Sequence, residues 1–311
     1  MKQITTILLG LGRISYGYNI KNKKNYLTHY KSIINDKRFK LLYCIEPNRK
    51  KKIKLKTKVF NNIKNASSNL KPRLAIIATP TITHFKAIKE IIKFHSSVKY
   101  ILCEKPFCNN FKEALKIDSM CKKKKIKVYI NYMRRAEPGV ILSKKIINKK
   151  LKGFIYGNVY YDGTTLNQAS HMINLLQYWL GEIITVKRIN NFNKKISKFG
   201  VDFKINFKKA EIYFFGLNIK KFSYASIKLI SKNGEFNYTD RGANILYKSK
   251  IKDKIFNEDY MPNEKFVKIK NDMNNYQKHV YNEIFKDIVG EKAHISMSKD
   301  ALETMRILKK I

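Results

Sequence analysis

A chain of 311 residues is too long for one typical core and suits two domains of roughly 100 to 200 residues each. With 44% hydrophobic and 12% aromatic residues there is ample apolar material to bury, which excludes an intrinsically disordered chain. The formal net charge of +42 raises the question of nucleic acid. Only nine of the 65 basic residues are Arg, the side chain suited to bidentate phosphate and base contacts, and the 56 Lys are spread over nearly every segment. Lys, Asn and Ile share A/T-rich codons, so the bias reads as genome composition, and no specific nucleic-acid partner is expected.

The first 130 residues alternate strands and helices. Strands are predicted over Ile4 to Leu9, Phe39 to Ile45, Leu74 to Ala78, Tyr100 to Cys103 and Lys127 to Ile130, several apolar without alternation, as strands covered on both faces are. Between them Thr28 to Asn35, Thr83 to Phe94 and Phe111 to Cys121 carry apolar residues at helical spacing, for example Phe85, Ile88, Ile91 and Ile92. This alternation predicts a parallel, doubly wound α/β sheet. The run Lys122 to Lys125 with Lys127 reads as a solvated connection.

Beyond Tyr132 the pattern changes. Helices are predicted near Pro138 to Lys149 and Gln168 to Leu180, with a strand at Phe154 to Tyr161. Consecutive alternating segments follow at Ile183 to Ile189, Val201 to Phe207, Glu211 to Leu217, Tyr224 to Ile230 and Gly234 to Tyr238, which predict a large, mostly antiparallel sheet open on one face. Helices near Asp272 to Val289 and Ser298 to Leu308 close the chain. The expected division is a Rossmann domain over residues 1–130 and a substrate-binding and oligomerisation α/β domain over 131–311, joined by a short hinge near Asn131.

Four cysteines, Cys44, Cys103, Cys108 and Cys121, form no CxxC pair, and two lie in apolar strands, so buried thiols are expected rather than disulfides or a metal site. The opening apolar stretch is too short for a membrane span and lacks a small-residue cleavage site, so a cytoplasmic protein with no membrane partner is expected.

The strand Ile4 to Leu9 runs into Gly10-Leu11-Gly12-Arg13-Ile14-Ser15, a G-x-G-x-x-S form of the dinucleotide fingerprint. Its first Gly permits the turn, its second lets backbone approach a pyrophosphate, and the third position must be small for helix to pack on strand. Glu46, at the end of Phe39 to Ile45, is the candidate grip on the adenosine ribose, 34 residues beyond Gly12 because of the polar insertion Asn19 to Asn25. A carboxylate there repels a 2′-phosphate and favours NAD, while Arg49 nearby leaves NADP open. Thr79 and Pro80, with His84 one turn on, lie at the carboxyl edge of the same sheet, where Thr81 is a candidate helix cap.

Glu104-Lys105-Pro106 follows the next strand, and Asn167-Gln168-Ala169-Ser170-His171 places His171 at the start of a helix. With Ala78-Thr79-Pro80, Asn131-Tyr132-Met133-Arg134-Arg135, Trp179-Leu180-Gly181 and Ser298-Lys299-Asp300-Ala301-Leu302, the chain resembles the Gfo/Idh/MocA oxidoreductases, the glucose-fructose oxidoreductase and inositol dehydrogenase group, almost end to end. The resemblance implies that Lys105 hydrogen-bonds a reacting hydroxyl and that His171 acts as acid/base. It also implies a sugar or nucleotide-sugar substrate and a homo-oligomer formed through the C-terminal sheet. Glu104 joins the candidate cofactor site. Tyr132, Arg134, Arg135 and Asn167 join Lys105 and His171 as candidate substrate contacts, with Tyr160, Tyr161 and Asp162 as further pocket walls. An Arg pair suits a carboxylate or phosphate, though either Arg could instead pair with Glu104 or Glu137. One departure stands out: many family members carry Asp four residues before the His, and this chain has Asn167, which cannot accept a proton. A non-catalytic dinucleotide sensor of the same fold is therefore the alternative function.

Overall fold

The computed structural model describes residues 3–21, 24–48, 55–66, 70–189, 200–217, 219, 222–256 and 258–311. Arg49 and part of the insertion after Asn19 lie outside them. The chain packs as two units, Met1–Met133 with Asn274–Leu302, and Arg134–Met273 with Glu303–Ile311. Sequence patterning keeps residues 131–311 together; by packing, 274–302 go with the first unit. Hydrogen bonds show why: Ile130 N–H donates to the Ser296 carbonyl, and Tyr129 Oη and Lys127 Nζ both bind Asp287.

The first unit is built on a six-stranded parallel sheet in the order β3-β2-β1-β4-β5-β6. Its strands are β1 (Ile4–Leu9), β2 (Phe39–Ile45), β3 (Val59–Phe60), β4 (Leu74–Ile77), β5 (Tyr100–Cys103) and β6 (Lys127–Ile130). All four residues of β4 are buried, the signature of a strand covered on both faces. Its helices are α1 (Tyr18–Lys21), α2 (His29–Ile34), α3 (His84–Phe94) and α4 (Phe111–Lys123). On α3 the buried residues are His84, Ala87, Ile88 and Ile91, at i, i+3, i+4 and i+7, so the stripe on the sheet is one residue round from the expected one. Thr28 caps α2 by accepting from Lys31 N–H, and Asn110 caps α4 by accepting from Glu113 N–H. The two-residue β3 is too short for any periodicity to reveal.

The second unit carries α5 (Pro138–Lys150), β7 (Ile155–Asp162) and α6 (Ser170–Leu180), then β8 (Ile183–Arg188), β9 (Phe203–Phe207), β10 (Ala210–Leu217), β11 (Ala225–Ser231), β12 (Gly234–Thr239), β13 (Asn244–Lys252), β14 (Tyr260–Pro262) and β15 (Val267–Lys268). Next in the chain come helices α7 (Tyr276–Ile288), which belongs to the first unit, and α8 (Ser298–Leu308). Its sheet runs β14-β13-β12-β11-β7-β10-β9-β8, with β15 on β13. All these pairs are antiparallel except β7 with β10, which the crossover through α6 makes parallel. Along β10 buried and half-buried residues alternate strictly, so one face holds the core and the other is partly open. Trp179 anchors that core, edge-on to Phe236 and Tyr238, with its indole N–H donating to the Val140 carbonyl. Strand β13 escapes sequence reading because lysines interrupt its apolar residues, of which Ile245 and Tyr247 are buried.

All four cysteines are free and buried. Among the described residues no group of three or more His, Cys, Asp or Glu is placed to hold a metal ion. No described helix is long and apolar enough to cross a membrane.

Candidate active site

At the carboxyl edge of the first sheet lies a cavity of about 830 Å³. It is lined by Gly10, Gly12, Arg13, Ile14, Glu46, Thr79 and Pro80 from the expected cofactor residues, and by Asn48, Asn61, Asn62, Thr83, Lys86 and Glu90, which sequence reasoning missed. The first three of these lie on loops whose length only the fold reveals. Lys86 and Glu90 stand one turn apart on an exposed helix flank, where charge has no distinctive sequence signature.

The two glycines do different work. Gly10 has φ +84°, and a Cβ there would stand 2.6 Å from the Ala78 carbonyl oxygen, so it closes the β1 exit onto the β4 exit. A Cβ at Gly12 would meet nothing within 4 Å, which marks open space in front of the turn. The Gly12 carbonyl accepts from both Tyr16 and Gly17 N–H, winding Arg13–Gly17 as a wide turn whose leading N–H groups have no partner within it. Ser15 is fully buried, as its place in the fingerprint requires, and its hydroxyl has no hydrogen-bond partner among the described residues. A Cβ-free approach, leading N–H groups and an 830 Å³ cavity fit a dinucleotide.

Glu46 is 9% exposed and lines the cavity, but it also holds the turn: Oε2 accepts from Leu11 N–H and Oε1 from Asn48 N–H. His84 lies behind the cavity rather than in its wall. Fully buried, it places Nε2 2.9 Å from the Thr79 carbonyl and Nδ1 3.1 Å from the Phe107 carbonyl, so it ties the Thr79-Pro80 exit to the segment after Lys105.

Lys105 is half-buried and precedes Pro106 through a cis peptide bond. Glu104 does not face the cofactor cavity. Its Oε1 receives Asn131 Nδ2 at 2.5 Å and lies 3.0 Å from His29 Nε2, and its Oε2 accepts from Lys105 N–H at 3.3 Å. Burial pushes the Glu104 carboxyl up, but the hydrogen bonds from His29 and Asn131 and the Lys105 charge outweigh it, leaving the group below its ordinary value.

Tyr132 is buried at the end of β6, and its N–H donates to the Ile130 carbonyl. In the second unit Arg134 is 4% exposed, with Nε and Nη1 lacking hydrogen-bond partners among the described residues. The Glu137 carboxylate accepts from Val140 N–H and Asp272 N–H. Arg135 lies over the Tyr178 ring, 4.8 Å from its centroid. His171 is buried in the first turn of α6, and Asn167 is exposed on the turn before it, with its N–H accepted by Thr164. Tyr161 is core, its hydroxyl donating to the Val201 carbonyl and pushed up to about 12 by burial. Tyr160 faces the other side of the sheet, stacked on Phe215.

No curated protein matches the chain in sequence. Its fold is that of several solved structures. A candidate NADPH-dependent oxidoreductase of Desulfitobacterium hafniense superposes with a TM-score of 0.79 at 15% identity, over 100% of this chain and 95% of that one. The WlbA dehydrogenase of Bordetella pertussis, crystallised with NADH and UDP-GlcNAcA, gives 0.72 at 15% identity over 100% and 95%. A super-repressor mutant of Gal80p from Saccharomyces cerevisiae gives 0.75 at 14% identity over 99% and 96%. Residues 4–132 match the family described as "Oxidoreductase family, NAD-binding Rossmann fold", which is Gfo/Idh/MocA. Residues 4–132 thus match the NAD-binding Rossmann fold of the Gfo/Idh/MocA oxidoreductases.

Proposed function

We propose that the chain is a cytoplasmic NAD-dependent dehydrogenase or reductase acting on a carbinol carbon of a sugar or nucleotide sugar, in surface-glycan biosynthesis. The observation that carries this reading is the dinucleotide cavity in front of Gly12, on the same sheet edge that presents Lys105. In this reading the turn Gly12 to Ser15 holds the pyrophosphate and Glu46 holds the ribose. A carboxylate at that place repels a 2′-phosphate, so NAD is preferred to NADP. Bound NAD supplies the hydride acceptor.

Lys105 hydrogen-bonds the reacting hydroxyl, and His171 takes or returns its proton, since an oxidised carbinol must lose that proton to a group titrating near working pH. Tyr132, Arg134 and Arg135 contact substrate. The buried, incompletely partnered Arg134 guanidinium suits a carboxylate or phosphate, and the neighbour WlbA was crystallised with UDP-GlcNAcA, which supports a nucleotide sugar. Tyr156, Tyr160 and Ile184, exposed on the second sheet, support association with a second copy through that face.

The second reading, a non-catalytic dinucleotide sensor, is favoured by Asn167 in place of the family Asp and by the likeness to Gal80p. Lys105→Met separates the two. As an enzyme the variant binds NAD⁺ as the parent does yet loses roughly 10² to 10⁴ in turnover on UDP-linked sugars followed at 340 nm. Undiminished turnover would remove Lys105 from the reaction, and NAD⁺ binding without turnover by the unaltered protein on every sugar offered would favour the sensor.

A further inference from the structure

Behind Lys105 the first unit contains a buried polar network that the cofactor cavity does not use. His29, fully buried at the start of α2, places Nε2 3.0 Å from Glu104 Oε1 and Nδ1 2.9 Å from Gln277 Nε2 and 3.0 Å from Tyr281 Oη. Asn131 Nδ2 donates to both Glu104 Oε1 and Gln277 Oε1. The directions form one consistent set. An Asn131 amide that gives its hydrogens to Glu104 and Gln277 Oε1 leaves Gln277 Nε2 to donate to His29 Nδ1, so the His29 proton sits on Nε2 and points at Glu104. Donors from α2 and from the residue that follows β6 therefore converge on one carboxylate, and Gln277 of α7 orients both of them. Shape alone does not call for this, because a buried charged group is costly and an apolar cluster of the same volume would hold the segments at least as well. What distinguishes the place is that Glu104 Oε2 accepts the backbone N–H of Lys105.

We propose that the buried His29–Glu104 pair is a positioning device for Lys105: the carboxylate, oriented by His29, Asn131 and Gln277, anchors the Lys105 backbone and supplies the counter-charge that favours its protonated amine. Among the described residues the groups facing Glu104 that can titrate are His29 from α2, Tyr281 from α7, Cys103 at the end of β5 and Lys105 on its own loop. Glu104 and His29 are thus positioning residues acting through Lys105, and their catalytic meaning rests on the role proposed above for that lysine.

The test reads Lys105 directly and needs no substrate. The folded full-length protein is acetylated with trace acetic anhydride across a pH series, and the extent of labelling at Lys105 is read by peptide mass spectrometry, with Lys86 as an internal control. Glu104→Gln keeps the shape and removes the charge, and is expected to make the Lys105 amine roughly tenfold more reactive near neutrality, equivalent to about one pH unit. Glu104→Asp keeps the charge and loses a methylene, and is expected to stay within about threefold of the parent, while Lys86 is unchanged in both. A purely structural role predicts the reverse order, with Gln the milder change, and an unaltered Lys105 profile in folded Glu104→Gln overturns the proposal. Should Glu104→Gln fail to fold, His29→Ala, which frees the carboxylate to turn away, is expected to raise Lys105 reactivity in the same direction by about threefold, and no change there is equally decisive. NAD⁺ affinity should hold within about twofold in every variant. If Lys105→Met keeps full turnover while these labelling shifts appear, the catalytic assignment fails and the positioning device stands. If Lys105→Met is inactive but the labelling shifts are absent, the positioning device fails and the catalytic assignment stands.

Discussion

Replacing Gly10 and Gly12 separately by Ala tests whether the two fingerprint glycines serve folding and ligand respectively. At Gly10, φ of +84° costs an L-residue roughly 1–2 kcal/mol. The new Cβ would also stand 2.6 Å from the Ala78 oxygen, 2.8 Å from its carbonyl carbon and 2.9 Å from Thr79 N. All three are backbone atoms that no rotamer change can clear, and overpacking of this kind costs about 1–3 kcal/mol. Gly10→Ala is therefore expected to lose about 2–5 kcal/mol, a large share of the roughly 5–15 kcal/mol that holds a domain together. Gly12 has an ordinary φ of −77° and open space at its Cβ position, so Gly12→Ala should unfold within about 0.5 kcal/mol of the parent. Its methyl group occupies the approach of a pyrophosphate, and NAD⁺ affinity should fall at least roughly tenfold, about 1.4 kcal/mol. Urea unfolding of the ligand-free proteins followed by circular dichroism, with calorimetric NAD⁺ titration, reads both effects. Equal destabilisation by the two variants, or undiminished NAD⁺ binding by Gly12→Ala, would refute the reasoning.

Other outcomes follow from burial and charge. Burial pushes the Cys44, Cys108 and Cys121 thiols up to about 12 and Cys103 well above its usual value, so at pH 8 only roughly 10⁻⁴ of the thiols at 12 are ionised. A thiol-disulfide reagent should leave the folded protein almost untouched and titrate all four cysteines in guanidinium; rapid native reaction would contradict the packing. The Glu104 carboxyl lies below its ordinary value in the folded chain, so the stability it contributes is complete above the unfolded carboxyl pKa of about 4.3 and is lost as pH falls through the lower folded value. Denaturation curves between pH 3 and 6 should accordingly be flatter for Glu104→Gln, and an unchanged slope would count against the ionised buried carboxylate. Trp179→Ala, which empties the centre of the second core and frees the Val140 carbonyl, should cost about 3–5 kcal/mol; a loss under about 1 kcal/mol would mean that the site collapses freely.

The parallel sheet was legible because its strands are apolar without interruption, as in Leu74 to Ile77, and because Gly10 and Gly12 sit directly after the first of them. The antiparallel sheet was legible where alternation is clean, as in Ala210–Leu217, and lost where lysines break it, as in Asn244–Lys252. That β7 and β10 run parallel is a property of connectivity, which local periodicity does not encode. The site divided in the same way. Residues next to a diagnostic turn, such as Ile14 and Glu46, could be found by spacing, whereas Asn61 and Asn62 reach the cavity from a loop after a two-residue strand. His84 and Glu104 looked like ligand contacts because they flank a sheet edge. Their side chains instead turn inward to carbonyls and to His29, a choice that depends on partners up to 75 residues away.

The most direct measurement is anaerobic reduction of NAD⁺ at 340 nm by the parent and by Lys105→Met, on free and UDP-linked sugars and their uronic acids, with NAD⁺ binding measured on the same samples. The account predicts turnover on at least one of these compounds, slowed at least roughly a hundredfold in Lys105→Met while both proteins bind NAD⁺ equally. Equal turnover by the two proteins would contradict it.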